Sequence, residues 1–235
     1  MSRLSDLRQF YRLIERLVEG SGVGTVAQMA RQAPDRGVYF FFEPGEERRE
    51  SGGGQRVVRV GTHALSVGSR STLRQRLNQH QGTGSGRGNH RGSIFRLLVG
   101  QAILARNPQI TCASWGIKGG AGKAALELGS DRASLKATED PIEQRVSSYI
   151  GSMTVALISV SDEAGPDSLR TTIERNSIAL LSNHGRAALD APSSNWLGRH
   201  SNRPLVQSSG LWNQRHVEEK YDPQFLEQLE ELIGP

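Results

Sequence analysis

A fold of mixed α and β structure is predicted for this 235-residue chain by three observations. Two β-rich runs, 37–43 and 56–61, are separated by Pro44-Gly45, a charged segment and Gly52-Gly53-Gly54, the pattern of a hairpin with a long solvated connection. A third such run covers 153–160, and amphipathic helical patterns precede, separate and follow the three. With 36% hydrophobic and 23% charged residues, the length suits one elaborated domain or a small domain with additions. No apolar run reaches the roughly 18 residues of a membrane span. Residues 1–19 are charged throughout, unlike a secretory signal. The single cysteine, Cys112, excludes an intramolecular disulfide framework and a cysteine-based zinc cage, so a cytoplasmic location is the expectation. A net charge of +5 is compatible with a polyanionic partner.

Taken in order, residues 3–19 space Leu4, Leu7, Phe10, Tyr11, Ile14, Leu17 and Val18 three to four apart and stop at Gly20-Ser21-Gly22, which predicts a helix packed on the core. A short helical turn is expected over 25–31. In the first strand Tyr39 and Phe41 share one face and Val38, Phe40 and Phe42 the other, so both faces are expected to be buried by helices. After the second strand, residues 71–80 open with good capping residues and put Leu73 and Leu77 toward a core. Arg76 and His80 are also four apart, on one helical face, and able to reach one bound group.

The segment 81–96 is rich in glycine and positive charge, and its Arg87, Asn89, His90 and Arg91 suit close approach to phosphates. A buried helix is expected over 94–105. The glycine cluster at 116–124 is not a nucleotide-binding loop: Ile117 stands where the first glycine is needed, and Ala124 where a hydroxyl must hold magnesium. It reads as an insertion loop that touches nucleic acid through Lys118 and Lys123. A short helix is expected over 141–150. Beyond the third strand, Pro166-Asp167 starts another, with Asp167 as cap, Ile173, Leu180 and Leu181 facing the core, and Glu174 beside them. The stretches 195–201 and 208–217 hold two tryptophans, two arginines and two histidines, so Arg199 and Arg215 are candidate phosphate contacts. The alternative is that Trp196 and Trp212 simply lock the tail onto the core. The final helix, 223–233, is structural.

Together, Gly37-Val38-Tyr39, Arg59-Val60-Gly61 and the Arg76/His80 pair resemble the GIY-YIG nuclease family, with Arg59 standing where the second tyrosine is usual. The resemblance implies an α+β fold whose small, mainly antiparallel three-stranded sheet is flanked by helices. It divides the chain into a helical extension (1–33), a nuclease domain (34–200) carrying an insertion (81–145), and a C-terminal extension (201–235). It implies a metal-ligating glutamate on a late helix, taken as Glu174 with Glu143 as rival, and a Pro-x-x-Asn turn, taken as 192–195. Asn195 is then the functional asparagine, with Asn183 competing.

The implied activity is metal-dependent hydrolysis of DNA phosphodiester bonds. Glu174 would hold Mg²⁺, with Mn²⁺ able to substitute, and Arg76 would neutralise the phosphate. Tyr39 and His80 are the candidates for the base that activates water, an assignment the sequence leaves open. Arg59 either favours the ionised phenol or marks a weakened site. The long insertion most resembles restriction or defence members, which implies a homodimer and admits a partner methyltransferase or other defence component. The alternatives are a non-catalytic nucleic-acid-binding protein with a degenerate site, and a structure-specific repair nuclease.

Overall fold

The computed structural model describes residues 2–234. Its centre is the strand β2 (Gly37–Glu47), paired antiparallel with β3 (Gln55–Gly61) on one side and β4 (Thr154–Ser159) on the other. A two-residue strand, β1 (Gly24–Thr25), extends the sheet beyond β4, giving the order β1-β4-β2-β3. The sheet therefore has four strands where the sequence predicts three, because two residues are too few to show any periodicity. β2 runs on through Pro44-Gly45, where it has passed the last β4 pair, Phe42 with Thr154. A proline that cannot donate to a ladder is tolerated there, and the β2–β3 register shifts between Phe42 and Glu47.

Alternation along β2 divides the core. Tyr39 and Phe41 join Val58, Leu73, Leu77 and Phe95 beneath α2 (Val26–Arg31), α3 (Leu73–Gln81), α4 (Ile94–Arg106) and α6 (Arg132–Gly151). Val38, Phe40 and Phe42 join Phe10, Ile173 and Phe225 beneath α1 (Arg3–Ser21), α7 (Leu169–Leu181) and α9 (Phe225–Ile233). Helices thus cover both faces of an antiparallel sheet, the layered arrangement expected of an α+β domain. No helix among the described residues is long and apolar enough to cross a membrane.

Local sequence accounts for the element boundaries. Thr72 caps α3, accepting from the Gln75 N–H while the Gln75 side chain returns to the Thr72 N–H. α7 is capped by Ser168, not by the expected Asp167. The expected short helix at 141–150 is the second half of α6, which continues through Pro141. Proline is at home in a first helical turn, so the sequence predicts a start there; inside the helix it removes one backbone bond. α5 (Ala121–Glu127) lies between α4 and α6, and α8 (Pro204–Ser209) follows a 3-10 turn at Leu197–His200.

Candidate active site

Two glycines set the geometry of the hairpin. A Cβ on Gly37 would lie 2.2 Å from the Ile158 carbonyl oxygen, and one on Gly61 would lie 2.1 Å from the Tyr39 hydroxyl. Both distances are well inside van der Waals contact, so only glycine permits β2 to approach β4 and Tyr39 to lie against its cross-strand partner, Gly61. Tyr39 is thereby held with its ring 1% exposed and its hydroxyl 2.9 Å from His80 Nε2. The other histidine nitrogen, Nδ1, is 2.8 Å from the Ser93 hydroxyl, which also caps α4.

His80 is fully buried. Burial, followed by the nearby Arg76, Arg59 and Arg96 cations, pushes its pKa well below the usual range, so the ring is neutral at physiological pH. It stands behind Tyr39, and the expectation that Arg76 and His80 reach one group directly is modified: Arg76 lines the cavity, whereas His80 communicates with it through the tyrosine.

That cavity, about 570 Å³, is lined by Tyr39, Arg59, Arg76, Glu174, Arg215 and His216 among others. It therefore gathers four of the six residues predicted to be catalytic and one predicted phosphate contact. Glu174 reaches it from α7, whose start is fixed by Arg170. The Arg170 guanidinium pairs with Asp162 and donates to the His63 carbonyl, and the Arg170 N–H donates to Asp162 at 3.0 Å. Arg170 is thus occupied elsewhere and does not neutralise Glu174. Burial raises the Glu174 pKa above the ordinary carboxylate value, opposed by Arg59, His216, the Thr62 backbone N–H and Arg76.

Arg59 lies under the site with its guanidinium 4.8 Å from the centre of the Phe95 ring, donating to the Trp212 carbonyl. Its Nε has no hydrogen-bond partner among the described residues. Arg59, Arg76 and Arg215 form no salt bridge among the described residues. Glu174 is the one acidic group among the residues lining the cavity. Unpaired cations around one partly buried carboxylate favour an anionic ligand. The described residues contain no cluster of three or more His, Cys, Asp or Glu that would enclose a metal. A cation at Glu174 would have to complete its shell with water and substrate oxygens, which is how magnesium is commonly held.

Other sequence-predicted residues lie elsewhere. Asn195 is exposed and does not line the cavity; its turn instead packs through Ser193, whose hydroxyl donates to Glu46 at 2.5 Å. Asn183 binds Arg3 and the Leu189 backbone. Glu143, the rival ligand, is consumed by Arg96 at 2.5 Å and His90 at 2.9 Å. His90, expected to touch phosphate, is buried and stacked on Trp115 with ring centres 3.9 Å apart. Arg91 is held bidentate by Glu139 at 2.6 and 2.7 Å. Exposed Arg87 pairs with Asp140 at 3.1 Å, and exposed Asn89 accepts from the Arg91 N–H. Lys118 and Lys123 are exposed between α4 and α6, and Arg199 caps the Pro192 and Ser193 carbonyls.

The site residues that the sequence leaves without a role, Asn213 and His216, come from one segment, which also carries the predicted Arg215. The Trp212 N–H donates to the Val58 carbonyl at 2.7 Å, and the Asn213 side chain clamps both backbone groups of Val60, at 3.1 and 2.8 Å. This segment satisfies the outer edge of β3 as an added strand would, and it delivers Arg215 and His216 to the cavity. The signal available was the density of aromatic, basic and amide side chains at 211–217; nothing local assigns it to β3.

A family model described as a GIY-YIG domain matches residues 1–235. No curated protein and no solved structure matches the chain.

Proposed function

We propose that this chain, which belongs to the GIY-YIG domain family, is a metal-dependent DNA endonuclease of restriction or defence type. Membership makes it a nuclease of the GIY-YIG superfamily; the metal, the substrate detail and the biological setting are our reading. The observation that carries it is the convergence of Tyr39, Arg59, Arg76 and Glu174, from two strands and two helices, on one cavity with a single carboxylate among unpaired cations.

Glu174 would hold Mg²⁺, with Mn²⁺ substituting. Such a cation supplies Lewis-acid polarisation of the phosphate and charge stabilisation at the leaving oxygen. Arg76, half-buried and without a carboxylate partner, binds the non-bridging oxygens as charge builds on them. Tyr39 is the group that meets the attacking water, because His80 lies behind it and does not itself line the cavity. Neutral His80 can accept the phenolic proton as the water is deprotonated, so tyrosine and histidine act as one relay. Arg59 occupies the second-tyrosine position as a cation; its charge favours the ionised form of Glu174 and adds positive potential beside Tyr39.

The insertion, with Lys118 and Lys123 exposed, would contact DNA outside the cleavage site, and two copies would cut the two strands of a symmetric target. Incubation with supercoiled plasmid and Mg²⁺ tests the reading. Discrete linear fragments support a restriction-type enzyme, and a smear supports an unspecific one. Binding of duplex, flap and single strand without any cleavage would favour the degenerate binding protein.

A further inference from the structure

We propose that His216 is the general acid that protonates the 3′ oxygen as it leaves phosphorus, with Glu219 as its positioning residue. The inference rests on the nuclease reading of the same cavity and adds the proton donor that reading lacks. A 3′ alkoxide is a poor leaving group, so a donor aimed at it contributes to the rate directly.

Several observations converge on His216. It lines the cavity that holds Tyr39, Arg59 and Glu174. Its Nδ1 is 2.8 Å from Glu219, whose other oxygen is paired with Arg175. That carboxylate fixes the ring orientation, with Nδ1–H donating; the acid form is the imidazolium, whose second proton sits on Nε2, the nitrogen free to meet a ligand. Burial alone would raise Glu219, yet the hydrogen bonds from His216 and Arg175 bring its pKa below the ordinary value, so it remains an acceptor.

The backbone of His216 is left-handed, with φ +64°, a conformation that non-glycine residues adopt at a cost and that tends to mark functional positions. It is held there from both sides. Asn213 is clamped to β3, and Val217 is buried with its carbonyl accepting from Ser182 at 2.7 Å. Such anchoring of one side chain against a strained backbone is what preorganisation of a reacting group requires. Among the described residues no ion pair links His216 to Glu174 or to any other residue of the cavity, and its one ion-pair partner is Glu219.

The step balances. Water oxygen bonds to phosphorus and its proton passes to the Tyr39–His80 relay. The electrons of the breaking P–O bond go to the 3′ oxygen, which takes the proton from His216 Nε2. The products are a 3′ hydroxyl and a 5′ phosphate, and His216, with its side chain 24% exposed, is reprotonated from solvent.

The test uses a duplex built around a cut mapped on plasmid, with either the native 3′ oxygen or a bridging sulfur at the scissile bond. Both are assayed in Mn²⁺ under single turnover. A thiolate leaves without a proton. His216→Asn keeps a residue that tolerates left-handed backbone. It should slow the oxygen substrate by about 10²- to 10⁴-fold and the sulfur substrate far less. Glu219→Gln, which leaves the histidine in place, should show the same selectivity with a smaller loss. Equal losses on both substrates for both variants, or no loss, would overturn the proposal and leave a nuclease with a different donor. A wild-type protein inert on both substrates would overturn the nuclease reading, and this one with it.

Discussion

Gly61→Ala is the substitution whose outcome the geometry fixes most closely. The added methyl carbon would stand 2.1 Å from Tyr39 Oη, 2.3 Å from Cζ and 2.7 Å from Cε2. The phenol ring cannot yield along the sheet, since it is enclosed by Phe41 and His80 with ring centres 5.5 and 5.4 Å away. Overpacking a close-packed core by one methyl costs about 1–3 kcal/mol. At about 2–4 °C per kcal/mol for a chain of this size, the melting temperature should fall by roughly 2–12 °C. Displacing Tyr39 by about 1 Å should also lower the cleavage rate on the order of 10²-fold, because alignment with the attacked phosphorus is lost. Differential scanning fluorimetry and plasmid nicking read the two effects. Gly53→Ala is the control, because nothing lies within 4 Å of its added carbon. A Gly61→Ala protein with unchanged melting temperature and unchanged nicking would refute the placement of Tyr39 against Gly61.

Further expectations follow from the same contacts. Asn213→Ala leaves both backbone groups of buried Val60 without their partners. At about 1–3 kcal/mol for each, a clear drop in denaturant midpoint is expected, together with weaker cleavage as Arg215 and His216 lose their anchor. Glu143→Gln and Glu174→Gln should separate structure from chemistry. The first breaks a buried pair with Arg96 and should cost about 3–5 kcal/mol. The second removes a carboxylate that burial already disfavours, and should leave the melting temperature unchanged or raised while abolishing cleavage. The folded-state pKa of His63 is lowered to about 4, chiefly by burial and Arg170, and that of His80 is lowered by burial and nearby arginines. Both groups then bind protons more readily when unfolded. Their contribution is complete above the unfolded value of about 6.5 and is lost as pH falls below it, by up to about 1.4 kcal/mol per pH unit for each. The raised pKa of Glu43, set first by burial, acts in the opposite direction. Melting curves from pH 8 to 5 should therefore decline on the acid side, and His80→Gln should decline less.

The fold was legible where a residue pattern has a period. The unbroken apolar run in 37–43 announces a strand buried on both faces, and both cores form with its residues alternating between them. The Thr72–Gln75 cap and the spacing of Leu73 and Leu77 fix α3, and with it Arg76 and His80. What was not legible depends on contacts between segments distant in the chain. β1 is too short for a pattern, and Pro141 carries the signature of a helix start although α6 passes through it. In the site, a four-residue spacing puts Arg76 and His80 on one helix, but only packing decides that the histidine lies behind Tyr39. The asparagine at the sheet edge is Asn213, some 150 residues beyond the strand it clamps. Asn195, in the turn that resembles the family motif, points to solvent. Charge patterns were the least informative: His90 and Arg91 lie in a glycine-rich basic run, yet their carboxylate partners come from α6.

The most direct measurement of the central claim is the metal titration of plasmid nicking by wild type and Glu174→Gln, side by side, with thermal unfolding of both recorded. The account predicts nicking that rises with Mg²⁺ or Mn²⁺, stops with EDTA and is absent in Glu174→Gln at every metal concentration, although the variant is folded. Nicking by Glu174→Gln at the wild-type rate, or wild-type nicking indifferent to EDTA, would contradict a metal-assisted reaction centred on Glu174.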